Sequence, residues 1–269
     1  MQVRCPTFDI AGAVPHWGDN PAACNVINGG AIIPAPVERY LIKLLRLAKK
    51  ELDPVADATL LDDIAIFNKQ EGQHYKFHNE YMEMVAAKGY PQIREYEAAF
   101  EADLTEFLAT KGLEWNLGYG EGFESSGPAM AEGWLDGHVA ELCDDRGSEI
   151  MRLWTWHLAE EFEHRTVVHD VMQRICGPER AFELRRTVGV WARSHYGGHA
   201  GKAATYLFGV DRASMSDAER ETSEAAEMAA WLGLGAMAGD SLSWIEDPGY
   251  DPANVAAPAG YERILAAYS

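Results

Sequence analysis

Trp154-Thr-Trp-His157-Leu-Ala-Glu160-Glu161-Phe-Glu163-His164-Arg-Thr-Val-Val-His169-Asp170 is the stretch on which the reading of this chain turns. As a helix it places His157, Glu161 and His164 on one face, within about 60° of each other over roughly 10 Å of axis. An earlier stretch, Gln70-Glu71-Gly-Gln-His74-Tyr-Lys-Phe-His78, does the same in the opposite order with Glu71, His74 and His78. Two Glu-x-x-His units on separate long helices are the means by which a helical bundle holds a pair of metal ions, each unit giving one carboxylate and one imidazole. Working outward, the spacing predicts helices over about 36–52, 55–88, 92–110, 148–175, 179–208 and 216–244, with a short last one over 259–268. A segment over 115–143 is the poorest helix former, with many glycines and a kink expected at Pro128. No strand pattern appears, so the expectation is an all-α protein of one domain. Residues 1–35 form an irregular lead-in, 36–175 the ligand-bearing bundle, and 178–269 extra helices and a tail.

A dinuclear bundle site needs one more Glu from each of two further helices. Glu38 is the first acid after Pro34-Ala-Pro36, and Glu121, Glu124 and Glu132 lie on the glycine-rich segment. Glu124 is favoured, because Ser125, Ser126 and Gly127 after it leave room beside a metal or substrate. The expected ligand set is therefore Glu38, Glu71, His74, Glu124, Glu161 and His164. His78 and His157 sit one turn outside their Glu/His units and are candidates for additional ligands or for hydrogen-bonding partners of the ligands. Asp170 is a candidate for the latter role. His169 is expected to point off the site, Glu160 and Glu163 to face solvent, and His195 and His199 to be a packed or exposed pair with Gly197-Gly198 as a weak point of their helix. The alternative to all this is exposed Glu/His pairs in weak i,i+3 contact. Phe67, Trp154 and Val168 beside the two units argue that these faces turn inward, where acids need cations or partners.

At these positions the chain resembles the predicted metal-dependent hydrolases that fall among the ferritin-like di-iron proteins. The resemblance rests on Phe67-Asn-Lys-Gln-Glu71-Gly-Gln-His74-Tyr-Lys-Phe-His78, on Trp154-Thr-Trp-His157-Leu-Ala-Glu-Glu161-Phe-Glu-His164, and on Pro248-Gly-Tyr-Asp-Pro252. It implies a ferritin-like four-helix bundle core with additional C-terminal helices. In such proteins Pro-x-Gly-Glu opens the first ligand helix, whereas this chain has Pro36-Val-Glu38, without the glycine.

The 269 residues carry a net charge of −19, with 47% hydrophobic and 24% charged residues. That field repels phosphate backbones and anionic lipid, which argues against nucleic-acid binding. No apolar run is long enough to span a membrane, and Ala229–Gly239 reads as a short buried helix. The N-terminus has no signal-peptide pattern, and Cys5, Cys24, Cys143 and Cys176 are scattered, so a cytoplasmic protein with free thiols is expected. The oxygen and nitrogen donors suit two iron ions, or manganese or one of each. The leading expectation is a non-haem di-iron oxygenase or oxidase that uses O2 and an electron donor on a small organic substrate. The alternative is a dinuclear hydrolase working through a metal-bridging water, and the third is a non-catalytic metal-storage protein. A homodimer is compatible with all three.

Overall fold

The computed structural model describes residues 1–145, 147–238 and 245–268. The described residues form helices and connecting segments, with no strand, as the sequence pattern requires. Among the described residues thirteen α-helices run in chain order. α1 is Pro21–Gly30, α2 Pro34–Ala48, α3 Ala58–Ala87, α4 Ile93–Thr110, α5 Leu113–Glu124, α6 Gly127–Leu135 and α7 His138–Cys143. α8 is Glu149–His164, α9 Val167–Cys176, α10 Pro178–Leu184, α11 Val190–Arg212, α12 Asp217–Ala238 and α13 Tyr261–Ala267.

The helix α1 corrects the expected irregular lead-in. Its signals are local: the Asn20 side chain accepts a hydrogen bond from the Ala23 amide, and Pro21 occupies the first turn, where no amide donor is needed. The glycine-rich segment divides into α5, α6 and α7, with Pro128 in the first turn of α6. The expected helix over 148–175 is two, α8 and α9, separated at Arg165 and Thr166. Ser148 caps α8 by accepting from the Met151 amide at 3.1 Å. In contrast to the weak point expected at Gly197-Gly198, α11 passes through both without a break. α12 opens on the expected capping box, with the Ser216 and Glu219 side chains and amides paired reciprocally. Its predicted extension to Trp244 falls partly outside the described residues. Within Ala229–Gly239, Ala230 is buried but Trp231 and Leu232 are exposed, so the expected buried helix is a surface one.

α2 packs along α3, α3 also meets α8 and α9, and α5 lies against α2 and α9. These helices surround the acids and histidines singled out above. α6 packs on α8, while α1, α11 and α12 form an outer layer in which α1 lies against both others. Close approach is set by glycine at two places. A Cβ on Gly29 would lie 2.6 Å from Ala204 Cβ, bringing α1 against α11, and one on Gly122 would lie 2.6 Å from Gly189 Cα. Most of the buried apolar side chains among the described residues form one connected cluster from Ile10 to Leu265. All four cysteines are free, Cys5 at the surface.

Candidate metal centre

Four helices carry the acids inward. Glu38 comes from α2, Glu71 and His74 from α3, Glu124 from the last residue of α5, and Glu161 and His164 from α8. All six side chains are buried, as are His78 and His157. Ligand atoms of Glu71, His74, Glu161 and His164 lie within 4.8 Å of one another, as do those of Glu38, His74 and His157. His164 reaches Glu71 at 3.1 Å through Nε2 and Glu124 at 3.4 Å through Nδ1. His74 Nδ1 stands 3.5 Å from Glu161 and 3.6 Å from Glu71. The six residues therefore surround one volume, with Glu71 and Glu161 between the two histidines.

What marks this volume as a place for cations is the state of the oxygens. Both carboxylate oxygens of Glu38, Glu71 and Glu124 are buried without a hydrogen-bond donor, and both ring nitrogens of His164 lack a hydrogen bond of proper geometry. Buried carboxylates without donors are costly. Positive charge between them removes the cost, and this donor set of carboxylates and imidazoles fits divalent ions.

Without ions, the groups neutralise one another with protons. Burial and then the Glu71 charge hold the Glu38 carboxyl well above its usual range. Burial and then Glu161 push Glu124 up to about 8. For Glu161 burial works upward, but His164, His157 and His74 outweigh it and hold the carboxyl well below its usual range. Glu71 is also lowered, since its two histidines outweigh burial and the Glu161 charge. For His74, burial is overcome by the nearby carboxylates of Glu160, Glu161 and Glu71, and for His164 by the Glu161, Glu124 and Glu71 carboxyls, so both are raised well above normal.

The surrounding residues fix these rings. Trp156 packs edge-on against His74 at 4.9 Å, and Phe67 against His164 at 4.6 Å. The His74 Nε2–H donates to Glu160 at 3.1 Å, leaving Nδ1 toward the cluster. Glu160 in turn accepts from Arg4 at 3.0 Å, and Arg4 also spans Glu163, which accepts from Gln70 at 2.7 Å. Glu160 and Glu163 thus face the protein, contrary to the solvent position expected for them. The missed signal is helical spacing, since residues 156, 160 and 163 share a face that begins with a fully buried tryptophan. Arg4 has no signal of this kind, because it lies in an irregular segment.

His157 meets the cluster through Nε2, 2.9 Å from Glu161 and 3.7 Å from Glu38, and its Nδ1 is hydrogen-bonded to His78 Nε2. Burial, then neighbouring imidazoles, lower the pKa of both His78 and His157. His78 makes its hydrogen bond to His157, so of the pair His157 is the one that faces the acids. Asp170 is exposed and stands apart from the cluster. Glu132 is exposed as well. Glu121 is buried but accepts from His169 at 2.9 Å in a separate pair. His169 does lie off the cluster, although it is buried rather than free.

A cavity of about 180 Å³ opens beside the cluster, walled by Ile33 and Pro34, Phe123, Met130, Trp154 and Leu158, and lined also by His157 and Glu161 of the cluster. Tyr196, Gly197 and Ala200 of α11 also line it. Its other polar feature is a hydroxyl pair, Ser126 Oγ and Tyr196 Oη at 2.8 Å. No lysine or arginine lines it. Among the described residues no helix is long and apolar enough to cross a membrane.

Comparisons with curated proteins and with solved structures gave no match. A family model described as predicted metal-dependent hydrolase matches residues 2–255, nearly the whole chain. Its span takes in both Glu-x-x-His units, the glutamates on α2 and α5, and the cavity beside them, and on that match the chain belongs to the family of predicted metal-dependent hydrolases.

Proposed function

We propose that the protein is a dinuclear metal-dependent hydrolase that cleaves a small, uncharged carbonyl compound. The observation that carries this reading is a cavity with apolar walls and no lysine or arginine, lined also by His157 and Glu161. Such a cavity offers a phosphate or carboxylate nothing to pair with, whereas a neutral ester or amide is bound by apolar burial. On this reading Glu38, Glu71, His74, Glu124, Glu161 and His164 hold two divalent ions in a ferritin-like arrangement of helices, and His157 is a seventh donor. When bound, the ions supply Lewis acidity to a carbonyl oxygen and acidify water. The chain's own part is positional. Trp154, Phe123 and Leu158 exclude bulk water, the Ser126–Tyr196 pair orients the substrate's polar group, and Glu160 holds the His74 ring in the tautomer that leaves Nδ1 free.

A second reading, an oxygen-activating di-iron enzyme, is favoured by one specific observation: all the donors are oxygen or nitrogen, and both Glu-x-x-His units approach one volume. The deciding experiment incubates the metal-loaded protein with a panel of small neutral esters and amides, with and without O2. Hydrolysis that proceeds without O2 and with manganese in place of iron supports the proposal. Turnover that requires iron, O2 and a reductant replaces it with the second reading. Ala200→Phe, which intrudes into the cavity away from the acids, is expected to lower kcat/KM at least about tenfold, the order of one well-placed apolar contact, while leaving bound metal unchanged. Uptake far beyond two ions per chain would point instead to storage.

A further inference from the structure

A second set of metal-competent side chains lies on the other face of α11. We propose that Asp103, His195 and His199 form a separate mononuclear site for a late first-row divalent ion of the zinc class. His195 and His199 are one turn apart on α11, and both present Nε2 to the same oxygen of Asp103 on α4, at 3.2 and 2.9 Å. Ligand atoms of the three residues lie within 4.8 Å of one another. Bonds of about 2.0–2.1 Å in a tetrahedron require ligand atoms roughly 3.3 Å apart, so the two measured edges need little change to admit an ion. Two imidazoles and one carboxylate are a donor set that zinc, cobalt and nickel accept.

The His195 ring is prepared for this role. Its Nδ1 is paired with the Tyr119 hydroxyl at 2.9 Å, the arrangement by which a ligand histidine is oriented through its second nitrogen. Trp191 stacks on it at 4.8 Å with planes 14° apart, and Phe100 packs against both rings. Asp103 is 40% exposed and the two histidines 13% and 14%, so an ion can enter from solvent and keep one position open to water. The next positions on α11, Tyr196, Gly197 and Ala200, wall the cavity. An ion bound across α4 and α11 therefore clamps that wall. The site shares no residue with the buried acids, and its occupancy is independent of what the protein catalyses.

The test is calorimetric titration of the chelated, metal-free protein with Zn2+, comparing the wild type with Asp103→Asn and His199→Gln. The wild type is expected to bind one equivalent more than His199→Gln, and Asp103→Asn to bind that equivalent at least tenfold more weakly, with uptake at the buried acids unchanged. Equal stoichiometry and affinity in all three proteins overturns the proposal. Should the buried acids take no metal, the wild type would bind a single equivalent that His199→Gln loses, which separates the two sites. Should either variant fail to fold, ring resonances of His195 and His199 in the wild type decide by NMR. Their shift in the course of adding up to three equivalents of Zn2+ is expected, and their constancy throughout overturns the assignment.

Discussion

Glu160 never meets the acid cluster, yet the orientation of His74 depends on it. Its carboxylate receives the Nε2 proton of His74 on one side and the Arg4 guanidinium on the other, all three side chains being buried. Glu160→Gln keeps the shape but weakens the charge-assisted bond that fixes the ring. Metal affinity should fall roughly 10–100-fold with little change in fold, which competition with a chelator of known affinity would measure; an unchanged affinity would remove Glu160 from the site. Glu38 makes the opposite case. Its oxygens are buried without donors and its carboxyl is raised by burial and by Glu71. A raised carboxyl costs stability as pH rises above its unfolded value. Glu38→Gln should therefore stabilise the chelated protein at pH 7 by about 1–3 kcal/mol, the scale of an unsatisfied buried polar group, and by less at pH 4, while weakening metal binding. Loss of stability on this substitution would mean that Glu38 has a partner in the metal-free fold. The convergence of Glu71, His74, Glu161 and His164 could be read from the chain because helical periodicity projects them onto facing helix sides directly. Arg4 could not, because nothing local ties residue 4 to residue 160.

At the scale of elements, glycines separate what packing demands from what it tolerates. Gly122 on α5 faces the π-helical turn Arg185–Gly189, where an added Cβ would lie 2.6 Å from Gly189 Cα and 2.7 Å from its carbonyl oxygen. Backbone cannot move aside as a side chain can, so Gly122→Ala should force α5 outward and cost about 1–3 kcal/mol. Glu124 is two residues further along the same helix, so a loss of metal affinity should accompany the loss of stability. Gly198 on α11 meets nothing within 4 Å and is exposed. There Gly→Ala should stabilise by roughly 0.5–1 kcal/mol through helix propensity. Urea unfolding of both variants checks the pair, and equal effects would show that α5 is not seated on the turn as described. This contrast also explains where the sequence reading failed. Glycine content predicts a weak helix at 115–143 and at Gly197-Gly198 alike, but only tertiary contact decides which glycines are close approaches and which are solvent-facing. The missed helix α1 had its Asn20-Pro21 start signal in a stretch whose proline and glycine content argued for irregular structure.

For the molecule as a whole, the centre links metal, protons and folding. With ions absent, the raised pKa values of Glu38 and Glu124 favour their protonated forms and those of His74 and His164 favour the cations, against the lowered values of Glu71 and Glu161. Two divalent ions would carry the charge that those protons supply, so loading near pH 7 should release protons. Four groups with raised pKa values bind more protons in the folded state than in the unfolded one. Their contribution to the metal-free fold is complete below their unfolded pKa values, near 4.3 for the carboxyls and 6.5 for the histidines, and is lost as pH rises through the folded values. Glu71 and Glu161, with lowered values, act oppositely and contribute above about pH 4. The centre should thus make the metal-free protein least stable toward pH 8, where competition from protons for the ions is also weakest. The gap in Tm between loaded and chelated protein should widen steadily from pH 5 to pH 8 as affinity rises. Scanning calorimetry at several pH values, with proton release followed by an indicator dye, tests both statements. A gap that narrows with pH, or loading without proton release, would mean that the buried acids are neutralised by something other than the protons that cations displace.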